Sequence, residues 1–181
     1  LSGLEPFEAW RRGLIPRGEY TQFLDELLAV PSTLPLNENE RALSARMQFD
    51  DARFVADTLL EAVTAGVLES SEYDADGFDE FYSRTLRQWD HQARKTFIFR
   101  EEARLIYATA SIRKPKTIAS LGCYYGFWTA FAAAGAGDTL DRVVLVDIDP
   151  EVCELAASNY ANMDFGGKTE IVVGEASRYM H

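Results

Sequence analysis

The sequence predicts an α/β protein in which an all-helical region precedes a parallel βαβαβ unit. Up to Arg113, apolar residues recur at helical spacing along the chain. After Pro115, short apolar runs alternate with longer helical patterns, and each run stops at a glycine or an aspartate. Strands that alternate with helices in this way form a parallel sheet with right-handed crossovers. We therefore predict a helical cap at 1–113 and an α/β half-domain at 114–181.

The individual elements are predicted from the spacing of apolar residues and from residues that start or end helices. Cap helices are expected at Glu19–Val30, from Asn37 or Asn39 through Met47, from Asp50 or Asp51 to Gly66, at Phe78–His91 and at Phe97–Ile112. Strands are expected at Thr117–Leu121, Arg142–Val146 and Glu170–Val173, with helices at Phe127–Ala134 and Pro150–Asn162 between them. Gly135 and Gly137 are expected to end the first of these two helices.

Charge and composition narrow the classes of function. The 29 acidic residues outnumber the 18 basic ones, so the formal charge is −11 and the protein repels nucleic-acid phosphates. No apolar run is long enough to cross a bilayer, and the first residues lack the basic start of a signal peptide. We therefore expect neither a nucleic-acid partner nor a membrane. Two cysteines make no disulfide framework, which favours a reducing cytoplasm.

A glycine-bracketed turn follows the first predicted strand. Gly122 allows a sharp turn of the backbone, and Gly126 allows the next helix to start against the strand. Asp147 ends the second strand, 25 residues after Gly122, where an acidic side chain can accept hydrogen bonds from ribose hydroxyls. The third strand ends in Gly174-Glu175-Ala176, where an adenine could lie. Because ligands of open parallel sheets bind at the carboxyl ends of strands, these residues predict a nucleoside site.

The identity of residue 124 separates two classes of nucleotide. A pyrophosphate site uses the pattern G-x-G-x-x-G, because its second glycine lets phosphate oxygens approach the backbone. Tyr124 stands where that glycine would be. A bulky aromatic residue suits a ligand without phosphate, such as S-adenosylmethionine (SAM), whose sulfonium cation an aromatic ring attracts. A nicotinamide-dependent dehydrogenase is therefore disfavoured.

This part of the chain, from Lys116 to Met180, resembles class I SAM-dependent methyltransferases, particularly the catechol O-methyltransferase-like enzymes. The resemblance implies a Rossmann-like fold and SAM as the cofactor. In this family the turn at Gly122 would hold the methionine part of SAM. Tyr124 would line the pocket near the reactive methyl group, Asp147 would hold the ribose, and Glu175 would lie near the adenine.

Two residues depart from the family pattern. Ser120 stands where the family has an acidic residue that orients the SAM amino group. Trp128 stands where a small hydroxyl residue often touches the SAM carboxylate. The predicted cofactor contacts are Ser120, Gly122, Cys123, Tyr124, Gly126, Trp128, Asp147, Ile148, Glu175 and Ala176.

The predicted fold is incomplete by the standard of that family. The family has seven strands, and its fourth strand pairs beside the first and often carries metal-binding or catalytic groups. Only three strands are predicted here, so the first would have an unpaired, adhesive edge. We expect a fragment of a longer protein, or a sheet completed by a second copy of the chain or by another protein.

The predicted function is methyl transfer from SAM to a small-molecule acceptor, which the protein would position against the methyl group. The sequence identifies no catalytic base, and no metal site is predicted. One alternative keeps SAM but transfers or cyclises its aminocarboxypropyl group, as nicotianamine-synthase-like enzymes do. Another alternative is a non-catalytic interaction fragment.

Four further features have two interpretations each. His91 follows Asp90 and the pair suits a general base, but a surface or cap-helix histidine is favoured. Cys123 precedes a helix and suits a reactive thiol, but a small buried residue in the turn is favoured. The aromatic residues of Phe78–His91 suit a substrate lid, but core packing is favoured. Glu72–Gly77 matches the start of a calcium-binding loop but lacks its twelfth-position Glu, so a solvated loop is favoured.

Overall fold

The computed structural model describes residues 51–92, 94, 96 and 98–179. The two helices predicted before Asp50 lie outside these residues. The described residues belong to one compact unit, Asp51–His181. Its helices are α1 (Asp51–Thr64), α2 (Ala75–Gln88), α3 (Arg100–Arg113), α4 (Phe127–Ala136) and α5 (Pro150–Ala161). Its strands are β1 (Thr117–Leu121), β2 (Arg142–Asp147) and β3 (Thr169–Val173), and short 3-10 helices lie at Gly137–Thr139, Gly166–Lys168 and Ala176–Tyr179.

The three strands form a parallel sheet in the order β1-β2-β3. Leu121 of β1 lies opposite Val146, and Asp147 of β2 lies opposite Val173 of β3. The carboxyl ends of the strands therefore finish at nearly the same level. The chain order strand, helix, strand, helix, strand confirms the predicted α/β fold with a βαβαβ unit after a helical region. The strand bounds differ from the predicted ones by at most one residue.

The main core lies between the helices and one face of the sheet. Val143 and Leu145 of β2 are fully buried in it, and Ile118 and Ile171 pack against it from the neighbouring strands. Aromatic side chains from α2 and α4 fill much of the remaining volume: Phe78, Phe81, Tyr82, Phe127 and Phe131. The aromatic residues of α2 are therefore core residues, as the preferred interpretation of the sequence predicted. The helices before Arg113 and the sheet after it share one core. The predicted domain boundary between residues 113 and 114 stays a prediction.

A close approach between α3 and α4 explains one difference from the predicted helix ends. Gly135 was expected to end α4, but it lies inside the helix, which continues to Ala136. A Cβ atom at Gly135 would lie 2.2 Å from the carbonyl oxygen of Tyr107 in α3. Gly135 thus lets two helix backbones touch, and Gly137, with φ of 58°, ends the helix. Among the described residues, no helix is long and apolar enough to cross a membrane.

The helix predicted at Phe78–His91 starts and ends earlier than expected. Asp74 caps α2 by accepting a hydrogen bond from the Gly77 amide, and the helix ends at Gln88. Trp89 has extended backbone angles, so His91 lies in the connection between α2 and α3. The predicted assignment of His91 to a helix was therefore wrong: the helix ends at Gln88, and the Asn159 side chain of α5 bonds the backbone of Asp90 beyond that end.

A buried guanidinium joins the helices of the amino-terminal part. The Arg104 side chain is only 4% exposed, and it donates to the carboxylates of Asp51 at 2.6 Å and Asp79 at 2.7 Å. It also bonds the Tyr73 hydroxyl and lies over the ring of Phe78, with 4.4 Å between the guanidinium carbon and the ring centroid. A buried charge with this set of partners fixes how α1, α2 and α3 pack.

Replacement of Arg104 by methionine tests this role. We expect Arg104→Met to lower the free energy of unfolding by about 3 kcal/mol, because it removes two charge-assisted hydrogen bonds and leaves Arg100 alone to pair with Asp51 and Asp79. Urea unfolding followed by circular dichroism measures the change. Glu69→Gln is the matched control, since it breaks the exposed Arg113–Glu69 pair and should cost under about 1 kcal/mol. Equal losses in the two variants would contradict the assignment.

Candidate nucleoside site

The turn after β1 is tied to the end of β2. The amides of Gly122 and Cys123 both donate to the carbonyl of Val146, at 2.8 and 3.0 Å. Gly122 has φ of 71° and Tyr124 has φ of 52°, so the backbone passes twice through the left-handed region within three residues. Such a path is uncommon for a tyrosine, and it persists only where its surroundings hold it.

The two glycines of the turn have different roles. A Cβ atom at Gly126 would lie 2.7 Å from the ring of Tyr160, whose hydroxyl donates to the Gly126 carbonyl at 2.8 Å. Gly126 is therefore required for packing between the turn and α5. A Cβ atom at Gly122 would meet nothing within 4 Å. The surface over Gly122 is open, as a site for a bound molecule requires.

Asp147 connects the turn to both neighbouring strands. One of its carboxylate oxygens accepts the Tyr124 amide at 2.8 Å, and the other accepts the Asp149 amide at 3.1 Å. The Asp147 carbonyl accepts the Gly174 amide at the end of β3, at 2.8 Å. A carboxylate has about four lone-pair positions, so these two bonds leave capacity for further donors. The structure thus brings Gly122, Tyr124, Asp147 and Gly174 to one rim of the sheet.

Exposed apolar side chains concentrate at the same rim. Leu121 and Val173 end β1 and β3, Ile148 follows β2, and Trp128 lies in the first turn of α4. Ile148 is 69% exposed and Trp128 is 45% exposed. Of the large apolar residues that are exposed in the described part, six lie in the turn or just beside the strand ends: Leu121, Tyr124, Trp128, Ile148, Val173 and Tyr179. A cluster of this kind marks a surface that another molecule covers.

A second wall of the site comes from the connection between α2 and α3. Asn159 of α5 is buried, and its side-chain amide makes two hydrogen bonds to the backbone of Asp90, at 2.8 and 2.9 Å. Because Asp90 is fixed in this way, the imidazole of His91 reaches the turn. Its Nδ1 atom and the Tyr125 hydroxyl share a hydrogen bond of 2.8 Å. Arg94 lies over the ring of Tyr124, with 6.0 Å between the guanidinium carbon and the ring centroid.

Burial shifts the pKa values of the two bonded side chains. Burial lowers the pKa of His91 below 6.5, although the nearby Asp90 charge acts in the opposite direction. His91 is consequently neutral at pH 7. Burial is also the main cause that raises the pKa of Tyr125 to about 12, so the phenol keeps its proton. The Asp90 carboxylate makes no hydrogen bond to His91 among the described contacts, and its Oδ1 atom accepts the Gln92 amide at 2.9 Å instead.

Cys123 is a half-buried thiol within the turn. Burial raises the pKa of Cys123 to about 12, and the charge of Asp147 adds to this effect. Its Sγ atom contacts the carbonyl of Tyr124 at 3.2 Å. A thiol of this kind stays protonated and unreactive at neutral pH, which agrees with the preferred interpretation of a small residue that fills the turn.

The other residues predicted to contact the cofactor lie in or next to the strands. Ser120 precedes Leu121 in β1 and is half-buried. Glu175 and Ala176 follow β3, and the exposed Glu175 carboxylate lies 3.8 Å from the guanidinium of Arg178. Their roles toward a ligand stay predictions, as do those of Trp128 and Ile148.

The second wall escaped the sequence analysis. The hydrogen bonds of Asn159 to Asp90 span 69 residues, and the bond between His91 and Tyr125 spans 34. No local pattern encodes contacts over such separations. One signal was available: Asn159 lies on the same face of its predicted helix as Val152 and Leu155, and a polar group on such an apolar face needs a partner.

Comparisons with known proteins add little to this geometry. No protein-family model matches the chain, and none of the curated proteins matches it. Among solved structures, the chain is similar to the SAH-bound methyltransferase PaMTH1 of Podospora anserina, with a TM-score of 0.47 and 20% sequence identity. The match covers 83% of this chain and 56% of that one, so this chain spans little more than half of the other's length. A similarity of this size supports no assignment of function.

The different roles of the two glycines lead to a paired prediction. We expect Gly126→Ala to lower the free energy of unfolding by about 3 kcal/mol, because its methyl group overlaps the Tyr160 ring and its positive φ is strained. Gly122→Ala should cost only about 1 kcal/mol, since strain of the backbone is its sole effect on folding. Urea denaturation of both variants measures the difference. Similar losses would show that the two glycines share one role.

Proposed function

We propose that this chain binds SAM at the rim of its parallel sheet and serves in methyl transfer to a small-molecule acceptor. One observation carries the proposal. The carboxylate of Asp147 holds the Tyr124 amide at 2.8 Å, beside the open surface over Gly122. An acidic residue with spare acceptor positions next to an open glycine turn suits a nucleoside with free ribose hydroxyls.

The proposed placement of SAM follows the chemistry of the rim. The two ribose hydroxyls would donate to the free lone pairs of Asp147. The adenine would lie against the exposed side chains of Ile148 and Val173, because its flat faces are apolar. The methionine part would pass over Gly122, with the sulfonium near the ring of Tyr124.

The turn is poorly suited to a nucleotide with a pyrophosphate. A pyrophosphate site presents free backbone amides at the start of the helix that follows the first strand. Here the Tyr124 amide donates to Asp147, and the amides of Gly122 and Cys123 donate to Val146. Three amides of the turn are therefore already occupied, which supports a ligand whose charge is not phosphate.

Methyl transfer needs no covalent intermediate between the substrate and the protein. A lone pair of the acceptor attacks the methyl carbon, and the electron pair of the carbon–sulfur bond passes to sulfur. The sulfonium becomes a neutral thioether, S-adenosylhomocysteine, and the acceptor loses a proton. The contribution of the chain would be to hold the acceptor in line with the methyl group. The excess of acidic residues, at a net charge of −11, also favours a cationic ligand.

The proposal includes a further strand beside β1. In the described part β1 pairs with β2 alone, so its other edge carries no strand there. Exposed strand edges pair readily with other strands. We propose that additional strands, from a longer chain, a second copy or another protein, complete the sheet. We place the activity in the cytoplasm, because Cys123 and Cys153 are both free thiols.

Titration with S-adenosylhomocysteine tests the role of Asp147. Asp147→Asn should weaken binding about 10- to 100-fold, because hydrogen bonds to a charged acceptor contribute about 1.5–3 kcal/mol. Isothermal calorimetry measures the dissociation constants. Asp164→Asn is the control, since that exposed carboxylate pairs with Arg84 away from the rim and its loss should leave binding unchanged. If the unaltered chain binds neither SAM nor S-adenosylhomocysteine, the proposed function is wrong.

The nucleoside product separates methyl transfer from its alternatives. We expect incubation with SAM and a panel of small hydroxyl and amine compounds to yield S-adenosylhomocysteine, measured by mass spectrometry. Methylthioadenosine instead would indicate transfer or cyclisation of the aminocarboxypropyl group. Ser120 is compatible with this alternative, because it departs from the acidic residue that the methyltransferase pattern has at this position. Recovery of a protein partner, with no nucleoside bound, would favour a non-catalytic interaction fragment.

A further inference from the structure

His91 lies closer to the nucleoside turn than its position in the sequence suggests. Its ring packs edge-on against Tyr125 and Phe127, with centroid distances of 5.7 and 5.1 Å. These two residues flank Gly126 at the end of the turn. The ring of Tyr125 in turn contacts that of Tyr124, at 4.7 Å between centroids. Only one side chain thus separates the imidazole from the residue proposed to lie beside the sulfonium.

The position of His91 is fixed from two sides. The buried amide of Asn159 holds the backbone of the preceding residue through two hydrogen bonds. The Tyr125 hydroxyl holds Nδ1 at 2.8 Å. Tyr125 is itself fully buried, so its hydroxyl has little freedom to move. A half-buried imidazole with one nitrogen held by a second group has the arrangement of an oriented base.

We propose that His91 is the general base that accepts the proton of the acceptor, with Tyr125 as its positioning residue. This inference rests on the proposed function. In the tautomer that this proposal requires, Nδ1–H of the neutral imidazole donates to the Tyr125 oxygen. Nε2 then carries the lone pair, because the hydrogen bond of one ring nitrogen sets the state of the other.

The proposed methyl transfer, with His91 as the base, needs no further reactant. The acceptor is an O–H or N–H group that forms a bond to the methyl carbon as the carbon–sulfur bond breaks. Its proton passes to Nε2 of His91, which becomes an imidazolium with Nδ1–H still bonded to Tyr125. The products are the methylated acceptor, neutral S-adenosylhomocysteine and a protonated base that returns its proton to water.

The titratable groups described around His91 come from three parts of the chain. Asp90 and Arg94 lie on its own segment, and Tyr125 bonds it from the turn. From α5, Glu151 reaches Arg94 at 3.3 Å, so these two charges offset one another. Among the described residues, the charge of Asp90 stabilises the imidazolium, and burial opposes this effect. The imidazole is therefore free of a proton at neutral pH and available as a base.

Titration of the imidazole by NMR tests the inference without knowledge of the acceptor. The chain has two histidines, so His181→Gln leaves the His91 ring as the only histidine signal. SAM and S-adenosylhomocysteine differ at sulfur by a methyl group and one positive charge. If His91 faces the sulfonium, its pKa should be lower with SAM than with S-adenosylhomocysteine by about half a unit or more. The nitrogen chemical shifts should also show Nδ1 as the protonated nitrogen of the neutral ring.

The outcomes separate this inference from the proposed function. Equal pKa values with both ligands, each shown to bind, would refute the role of His91 and leave the nucleoside site intact. A neutral ring protonated at Nε2 would do the same. Failure of both ligands to bind would instead overturn the proposed function. Tyr125→Phe should shift the neutral ring toward the Nε2–H form, while Tyr107→Phe, which removes another buried hydroxyl, should not.

Steady-state kinetics with any acceptor of the panel that is methylated provides a second test of His91. His91→Gln should lower kcat at least about 100-fold, the usual contribution of a general base, and leave the dissociation constant of S-adenosylhomocysteine within about twofold. The pH profile of kcat should lose its acidic limb in this variant. Retained turnover with an unchanged profile would contradict the inference.

Discussion

The hydrogen bond between the Tyr124 amide and the Asp147 carboxylate is the constraint on which the site depends. It links the turn after β1 to the end of β2, and it stabilises a tyrosine with φ of 52°. Without it, the left-handed backbone at Tyr124 would lack the partner that offsets its strain. The same carboxylate holds the Asp149 amide, so a single side chain sets the geometry of both loops at the rim.

The helices before the sheet do more than cover its core. Arg104 fixes α1, α2 and α3 relative to one another, and α3 touches α4 closely at Gly135. The connection between α2 and α3 therefore lies beside the turn, and Asn159 bonds its backbone at Asp90. The helical region and the glycine turn thus meet in direct contact, through His91 and Tyr125. In the proposed function, the residues at the rim of the sheet bind SAM, and His91 in the connection accepts the proton of the acceptor.

The sequence alone predicts the elements and the sheet-borne part of the site, because both depend on local patterns. Apolar runs that stop at Gly122, Asp147 and Gly174 define the strand ends, and a parallel sheet brings such ends together. The second wall could not be predicted in the same way. The helical pattern continues through Trp89 to His91, whereas the chain leaves the helix after Gln88 because α5 offers hydrogen bonds to the backbone. Partners 34 to 69 residues apart leave no periodic signal.

A crystal structure of the chain with S-adenosylhomocysteine tests the central claim most directly. The account predicts both ribose oxygens within about 2.5–3.0 Å of the Asp147 carboxylate, which keeps its bond to the Tyr124 amide. The thioether chain should pass over Gly122. A nucleoside bound elsewhere, or an Asp147 side chain turned away from both the ribose and the turn, would contradict the account.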